Sequence, residues 1–265
     1  MKGYWEPHTS SVDFCEPNYL LTRYIAEPHN AWSSLVITFY GIFGLLYNNP
    51  TNEWSIAAMH LALAVTGLGS VGLHSTINWI LQSSDEVPML WLVLSFLHIL
   101  WITQYKHDPT TSQRISLLVS CITVIQTIIY YAFQQIYVVF ITSFILYCAI
   151  VLFTTAYVIH YEPNKEIKRI EHQLALWSFV ICGSIGTVLW ILDMQYCAVL
   201  MPYYMFFSQQ TGFTFHVFWH IFIGLDGYTV SVLLTYIHLN KLGLRPSVKW
   251  FVNAIPYCVL DKLDK

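Results

Sequence analysis

An all-α membrane protein, a bundle of seven transmembrane helices with a lumenal N-terminus and a cytosolic C-terminus, is the fold class this sequence predicts. Three observations predict it. The 265 residues are 56% hydrophobic and 17% aromatic but only 10% charged, where a soluble domain carries roughly a quarter charged residues. Seven apolar segments approach or exceed the roughly 20 residues that carry a helix across a bilayer. The loops joining them are short, so one domain holds all seven.

Residues 1–30 are polar and aromatic, and Pro7, Pro17 and Pro28 break any long helix there. They hold no apolar run of the kind a cleavable signal needs. The expected spans are roughly Ala31–Tyr47, Trp54–Leu73, Val87–Gln104, Ile115–Phe133, Tyr137–His160, Gln173–Leu192 and Phe213–Tyr236. A transmembrane domain thus fills residues 1–240, its first 30 forming a lumenal segment, and 241–265 read as a polar cytosolic tail. No repeat or nucleic-acid-type basic patch appears, and the six cysteines form no CxxC pair.

Lys and Arg placement gives the orientation. The N-terminus and the 2–3, 4–5 and 6–7 loops share one side, with only Lys2 and Arg23. The other side holds Lys106, Arg114, Lys165, Lys168, Arg169, Lys241, Arg245, Lys249, Lys262 and Lys265. Ten against two predicts a cytosolic tail and a lumenal or extracellular N-terminus.

Within that topology the unusual polar residues converge. His216 and His220 lie four apart at the lumenal start of the last span, on one helical face. Ionisable side chains inside a span mark function by default. The second span runs towards the lumen and ends at His74, with Ser70 one turn earlier on the same face. The 2–3 loop carries Asp85 and Glu86 before Pro88. Three imidazoles at one level suit a zinc ion with its fourth position left for water, the catalytic pattern. Asp85 then serves as the proton carrier and Ser70 as a donor to the developing oxyanion. An amide or ester in a lipid is the bond that fits.

Blander readings compete. Asp85 can cap the third helix, and Ser70 can be a packing residue in a glycine-rich helix contact. His60, His98, His107, His160, His172 and His238 read as interfacial hydrogen-bonders, with a polar network open to His98. Asp193 and Asp226 lie in or near spans without a firm role, a hydrogen bond to a neighbouring helix being open to Asp226.

The GYWEPHTSSVDFCEPNY segment, Ser70-x-x-x-His74, Asp85-Glu86-x-Pro88 and His216-x-x-x-His220, in this order, resemble the alkaline ceramidase family over nearly the whole chain. The resemblance implies seven transmembrane helices and hydrolysis of ceramide to sphingosine and a fatty acid. It places zinc on His74, His216 and His220 and catalysis on Ser70 and Asp85. It also implies a lumenal calcium site on Asp13, Glu16, Asn18, Glu27 and the Phe14 backbone carbonyl, a set of hard oxygens of the kind calcium takes. A Cys15–Cys197 bridge is supported by the resemblance and permitted in an oxidising lumen; Cys258 should be free in the tail. The expected location is the endoplasmic reticulum or Golgi membrane. The residues alone leave two other functions open: hydrolysis of another lipid amide, or a seven-helix receptor or transporter with a structural zinc.

Overall fold

The computed structural model describes residues 2–211 and 214–261, and the side chains of these except at 204–211. Phe213, at the head of the expected last span, and Lys262 and Lys265 lie outside the described residues. The helices are α1 Pro28–Tyr47, α2 Trp54–Thr76, α3 Trp79–Gln104, α4 Pro109–Phe133, α5 Tyr137–His160, α6 Lys165–Ala175, α7 Gly183–Thr211 and α8 Phe215–Lys241. A π-helical stretch, Leu176–Cys182, joins α6 to α7. Counting α6 to α7 as one element, seven helical stretches are long and apolar enough to cross a membrane.

Local chemistry sets the helix starts. Pro28 and Pro109 occupy first turns, where a missing N–H loses nothing. Asn78, Asp108, Asn164 and Thr214 cap α3, α4, α6 and α8 by accepting backbone N–H groups. α1 has no such cap of its own. Glu16, from the preceding segment, accepts the N–H groups of His29 (2.9 Å) and Asn30 (2.8 Å) instead.

α1, α2, α3 and α8 form the buried centre, whereas α4 and α5 bury only a few residues each and present apolar side chains outward. In lipid, helices associate through close packing more than through hydrophobic burial, so small residues sit at the crossings. A side-chain carbon at Gly41 would strike the backbone of Ala64, and one at Gly67 the backbone of Thr38, which locks α1 onto α2. One at Gly69 would strike the backbone of Ser84 and Asp85, which locks α2 onto α3.

Three expectations need correction. The 2–3 loop shrinks to Ile77 and Asn78, and α3 begins at Trp79, so Asp85 is a helix-interior residue and Asn78 does the capping. Gln82, Ser83, Asp85 and Glu86 are buried against other polar groups, which is why hydropathy does not mark them as helix. The expected 6–7 loop is helical as far as Thr211, kinked at Tyr196, whose backbone is non-helical, and with Pro202 inside α7, so Cys197 sits on a helix. The tail is not simply polar: β1 Pro246–Phe251 and β2 Ile255–Leu260 pair as an antiparallel hairpin against α8. The Tyr228 hydroxyl donates to the Pro256 carbonyl (2.5 Å), and the Cys258 N–H donates to Asn48 Oδ1 (2.8 Å). Cys258 is free, as expected, but buried.

Gly69→Val should therefore lower the unfolding midpoint in detergent by several degrees, in line with about 1–3 kcal/mol for overpacking. Gly72→Ala, which meets only the Leu81 side chain (3.2 Å), should be close to neutral. Equal midpoints for the two variants would contradict this packing account.

Candidate metal centre and its surroundings

His74 lies near the C-terminal end of α2, and His216 and His220 in the first two turns of α8. All three are essentially inaccessible to solvent. Their ligating nitrogens fall within 4.8 Å of one another, and among the described residues this is the one such group of three. Ring centroids are 4.9 Å apart for His74 and His216, 5.0 Å for His74 and His220, and 4.6 Å for His216 and His220.

Hydrogen bonds orient two of the rings. Nδ1 of His74 lies 2.5 Å from Glu27 Oε2. With Nδ1–H donating to that carboxylate, Nε2 keeps its lone pair for a metal. Nδ1 of His220 lies 2.7 Å from the Ser33 hydroxyl, whose own hydrogen goes to the Asn30 carbonyl (3.0 Å). Ser33 thus accepts from His220, and Nε2 again faces inward. His216 differs. Its Nδ1 is 3.8 Å from Asp193 Oδ2, beyond hydrogen-bond reach, and both of its nitrogens are buried without a hydrogen-bond partner. Leaving buried polar atoms unsatisfied costs about 1–3 kcal/mol each, and a cation among the three rings would satisfy one of them. The donor set, three neutral nitrogens with carboxylates behind them, fits zinc.

Ser70 is where the sequence puts it: its hydroxyl is 3.3 Å from His220 Nε2 and accepts from Ser34 (3.0 Å). Asp85 is buried and shares with His216 the wall of a cavity of about 140 Å³, bounded also by Trp190 and Trp219. Its neighbour Glu86 has both oxygens occupied, accepting from Gln82 (2.9 Å) and Tyr130 (2.7 Å). No such side-chain bond is seen at Asp85 among the described residues.

The proposed calcium ligands gather beside the first turn of α1. Asn18 donates to both Asp13 oxygens (3.2 and 3.4 Å), and its Oδ1 is left buried and unpartnered. Glu27 accepts from the Phe14 N–H (3.4 Å) as well as from His74. Burial pushes the Glu16 carboxyl up to about 7, opposed by the His29 and Asn30 N–H groups and assisted by Glu27. Burial, then the charge of Asp13, holds Glu27 well above the usual carboxylate range. Phe14 does more than offer its carbonyl: its ring packs on His74 (4.8 Å) and His216 (4.2 Å). Cys15 and Cys197 form a disulfide that fixes this segment to α7, and the Cys15 N–H donates to Asp193 (3.2 Å).

The other histidines stay outside the cluster. His98 Nε2 meets Ser116 (2.9 Å) between α3 and α4, and His238 bridges Glu53 (2.9 Å) and Thr103 (2.7 Å). His60 is not interfacial; it is fully buried and bonded to Asn48 (3.1 Å). Sequence reasoning missed Ser33, Ser34 and Asn30 on α1 and gave Asp193 no role.

Residues 6–259 match the family model described as Ceramidase. An alkaline ceramidase of Arabidopsis thaliana is 25% identical, covering 99% of this chain and 97% of its own length. Alkaline ceramidase 3 of Mus musculus is 28% identical over 100% and 97%, and alkaline ceramidase 1 of Homo sapiens 24% identical over 97% and 96%.

His216→Ala should reduce the metal content of the purified protein to background. Glu27→Gln should leave the stoichiometry intact and weaken affinity about 10–100-fold, as loss of an orienting partner does. Elemental analysis and chelator competition read both. Undiminished metal in His216→Ala would remove the centre from these rings.

Proposed function

The chain belongs to the ceramidase family, a family of hydrolases acting on the ceramide amide bond, and on that premise we propose a zinc-dependent hydrolysis yielding sphingosine and a free fatty acid. The observation that carries the zinc reading is the pair of unpartnered nitrogens on His216, buried among the three converging rings. His74, His216 and His220 would hold the ion. Zinc bound there lowers the pKa of a water molecule towards about 7 and so supplies hydroxide at neutral pH.

The protein's own groups do the rest. Ser70 donates a hydrogen bond to the carbonyl oxygen as it gains charge. Asp85, not tied by a neighbouring side chain as Glu86 is, takes the proton of the attacking water and delivers it to the departing amine. Glu27 and Ser33 hold the rings in the ligating tautomer, and Phe14 covers them.

Calcium fits the adjacent cluster. Asp13, Glu16, Asn18, Glu27 and the Phe14 carbonyl would supply hard oxygens. The unpartnered Asn18 Oδ1 and the mutual repulsion of the carboxylates are the features a divalent cation would relieve. Because Glu27 also touches His74, calcium would steady the zinc ligand.

The reading includes an endoplasmic reticulum or Golgi location with the N-terminus lumenal. The Lys and Arg bias supports it, and so does the disulfide at the histidine end, since bridges persist in oxidising compartments.

Purified protein assayed on ceramides, with and without a zinc chelator, tests the proposal. Asp85→Asn should lower kcat about 10²–10⁴-fold and Ser70→Ala about 10²–10³-fold, both with metal retained. Full hydrolysis by zinc-free His216→Ala protein would overturn the mechanism. In a separate measurement, calcium chelation should lower the unfolding midpoint of the parent protein and not that of Asp13→Ala; equal losses would count against the calcium site.

A further inference from the structure

The hairpin β1–β2 folds back along the bundle at the end opposite the histidines. α1 is 20 residues long, about 30 Å, which matches the hydrocarbon thickness of a bilayer. Its end at Tyr47 therefore marks the membrane boundary on that side, and Phe43, one helical turn earlier, lies about 6 Å inside it. The Phe251 ring packs on Phe43 (5.4 Å), and the Tyr257 ring on Phe43 and Tyr47 (6.2 Å each). Pro256, which pairs with Trp250 across the hairpin, offers its carbonyl to the hydroxyl of Tyr228. Tyr228 stands about 20 Å along α8 from the end of that helix at Lys241. These two anchors set the turned end of the hairpin at or below the membrane boundary.

The side chains there suit that depth. Trp250 is 46% exposed, Phe251 48% and Val252 77%, an uncovered apolar tip of the kind that marks a contact surface. Val252 begins the turn between Phe251 and Ile255 with φ 52°. A β-branched residue rarely adopts that conformation, and a turn in water favours glycine or asparagine there. Tryptophan is enriched where membrane meets water, and Trp54, at the start of α2 on the same end, is exposed as well. The outward apolar residues of α1, Phe39, Ile42 and Leu46, adjoin the hairpin through Phe43. Arg245 and Lys249, both exposed, precede the tip.

We propose that the apolar tip of this hairpin, Trp250 to Val252, is seated in the lipid leaflet at the end of the bundle opposite the histidines, with Arg245 and Lys249 against anionic headgroups. Open strand edges are excluded from the hydrocarbon core, so the tip stops at the boundary between acyl chains and headgroups. Basic side chains beside it gain from the negative surface of an anionic leaflet, and their stems reach from the tip to the phosphates. The membrane thereby holds, from outside, the hairpin that ties α8 to the end of α1 through Tyr228 and Asn48.

The test places an environment-sensitive fluorophore on Val252→Cys in a Cys121→Ser background, because Cys121 is the exposed free thiol among the described residues. The unmodified background, treated identically, gives the residual labelling. Single full-length molecules are held in discs of phosphatidylcholine and phosphatidylserine. The label at Val252 should be quenched by lipid brominated on its acyl chain and protected from aqueous iodide. A label on Asp261→Cys, an exposed position at the open end of the hairpin, should show the reverse. Equal iodide quenching at the two positions would overturn the proposal. Protection from iodide without quenching by brominated lipid would overturn it too, since protein would then be the cover. Arg245→Glu combined with Lys249→Glu should shift the Val252 label towards iodide in discs containing phosphatidylserine; unchanged quenching would remove the two cations from the contact.

Discussion

Three neutral imidazoles buried at one point impose the main constraint on this structure. Each brings two polar nitrogens out of water, and six such atoms in a protein interior must all be answered. Glu27 answers one on His74 and Ser33 one on His220. Both nitrogens of His216 have no hydrogen bond, and ligating atoms of the three rings lie close enough together to hold one cation. The surrounding architecture follows from keeping these rings together: α1 supplies hydroxyls from within the bundle, the N-terminal segment supplies carboxylates from above, and Phe14 excludes solvent. The glycine contacts between α1, α2 and α3 act at the same place. At Gly69 the backbone of α3 at Ser84 and Asp85 approaches the turn of α2 that bears Ser70.

The division of labour among helices follows from the same demand. α1, α2, α3 and α8 are tightly packed because they carry the polar chemistry, and each polar group needs a fixed partner. α4 and α5 face outward with apolar side chains; Tyr130 of α4 holds Glu86, and α5 forms one wall of a cavity of about 660 Å³ beside α8. The π-helical stretch before α7 lies along that wall, and such departures from α-geometry accompany functional sites more often than chance.

Much of this was legible in the sequence. Apolar length sufficed for seven spans, because hydrocarbon thickness dictates it. The i, i+4 spacing of His216 and His220 and the matching depth of His74 sufficed for the cluster. What escaped detection was polar sequence that folds as helix. Gln82 to Glu86 read as a loop because hydropathy cannot tell solvent from a buried polar interior; their partners, Ser11 and Tyr130, are remote in sequence. The same blindness hid the helical continuation through Cys197. The hairpin at the tail was missed because its contacts, from Tyr228 and Asn48, are long-range and its strands are short. Ser33 and Ser34 carried no signal by themselves, since serine is common at helix crossings in membranes. Their role appears only once α8 lies beside α1.

Two of the three histidines stand on α8, which is synthesised well after α2 with the third. While the intervening helices are being threaded into the bilayer, His74 therefore waits beside Glu27 with its counterparts still unsynthesised. A transcript spliced or terminated ahead of residue 214 yields a product with one of the three clustered imidazoles, unable to build the cluster however well the remaining helices insert.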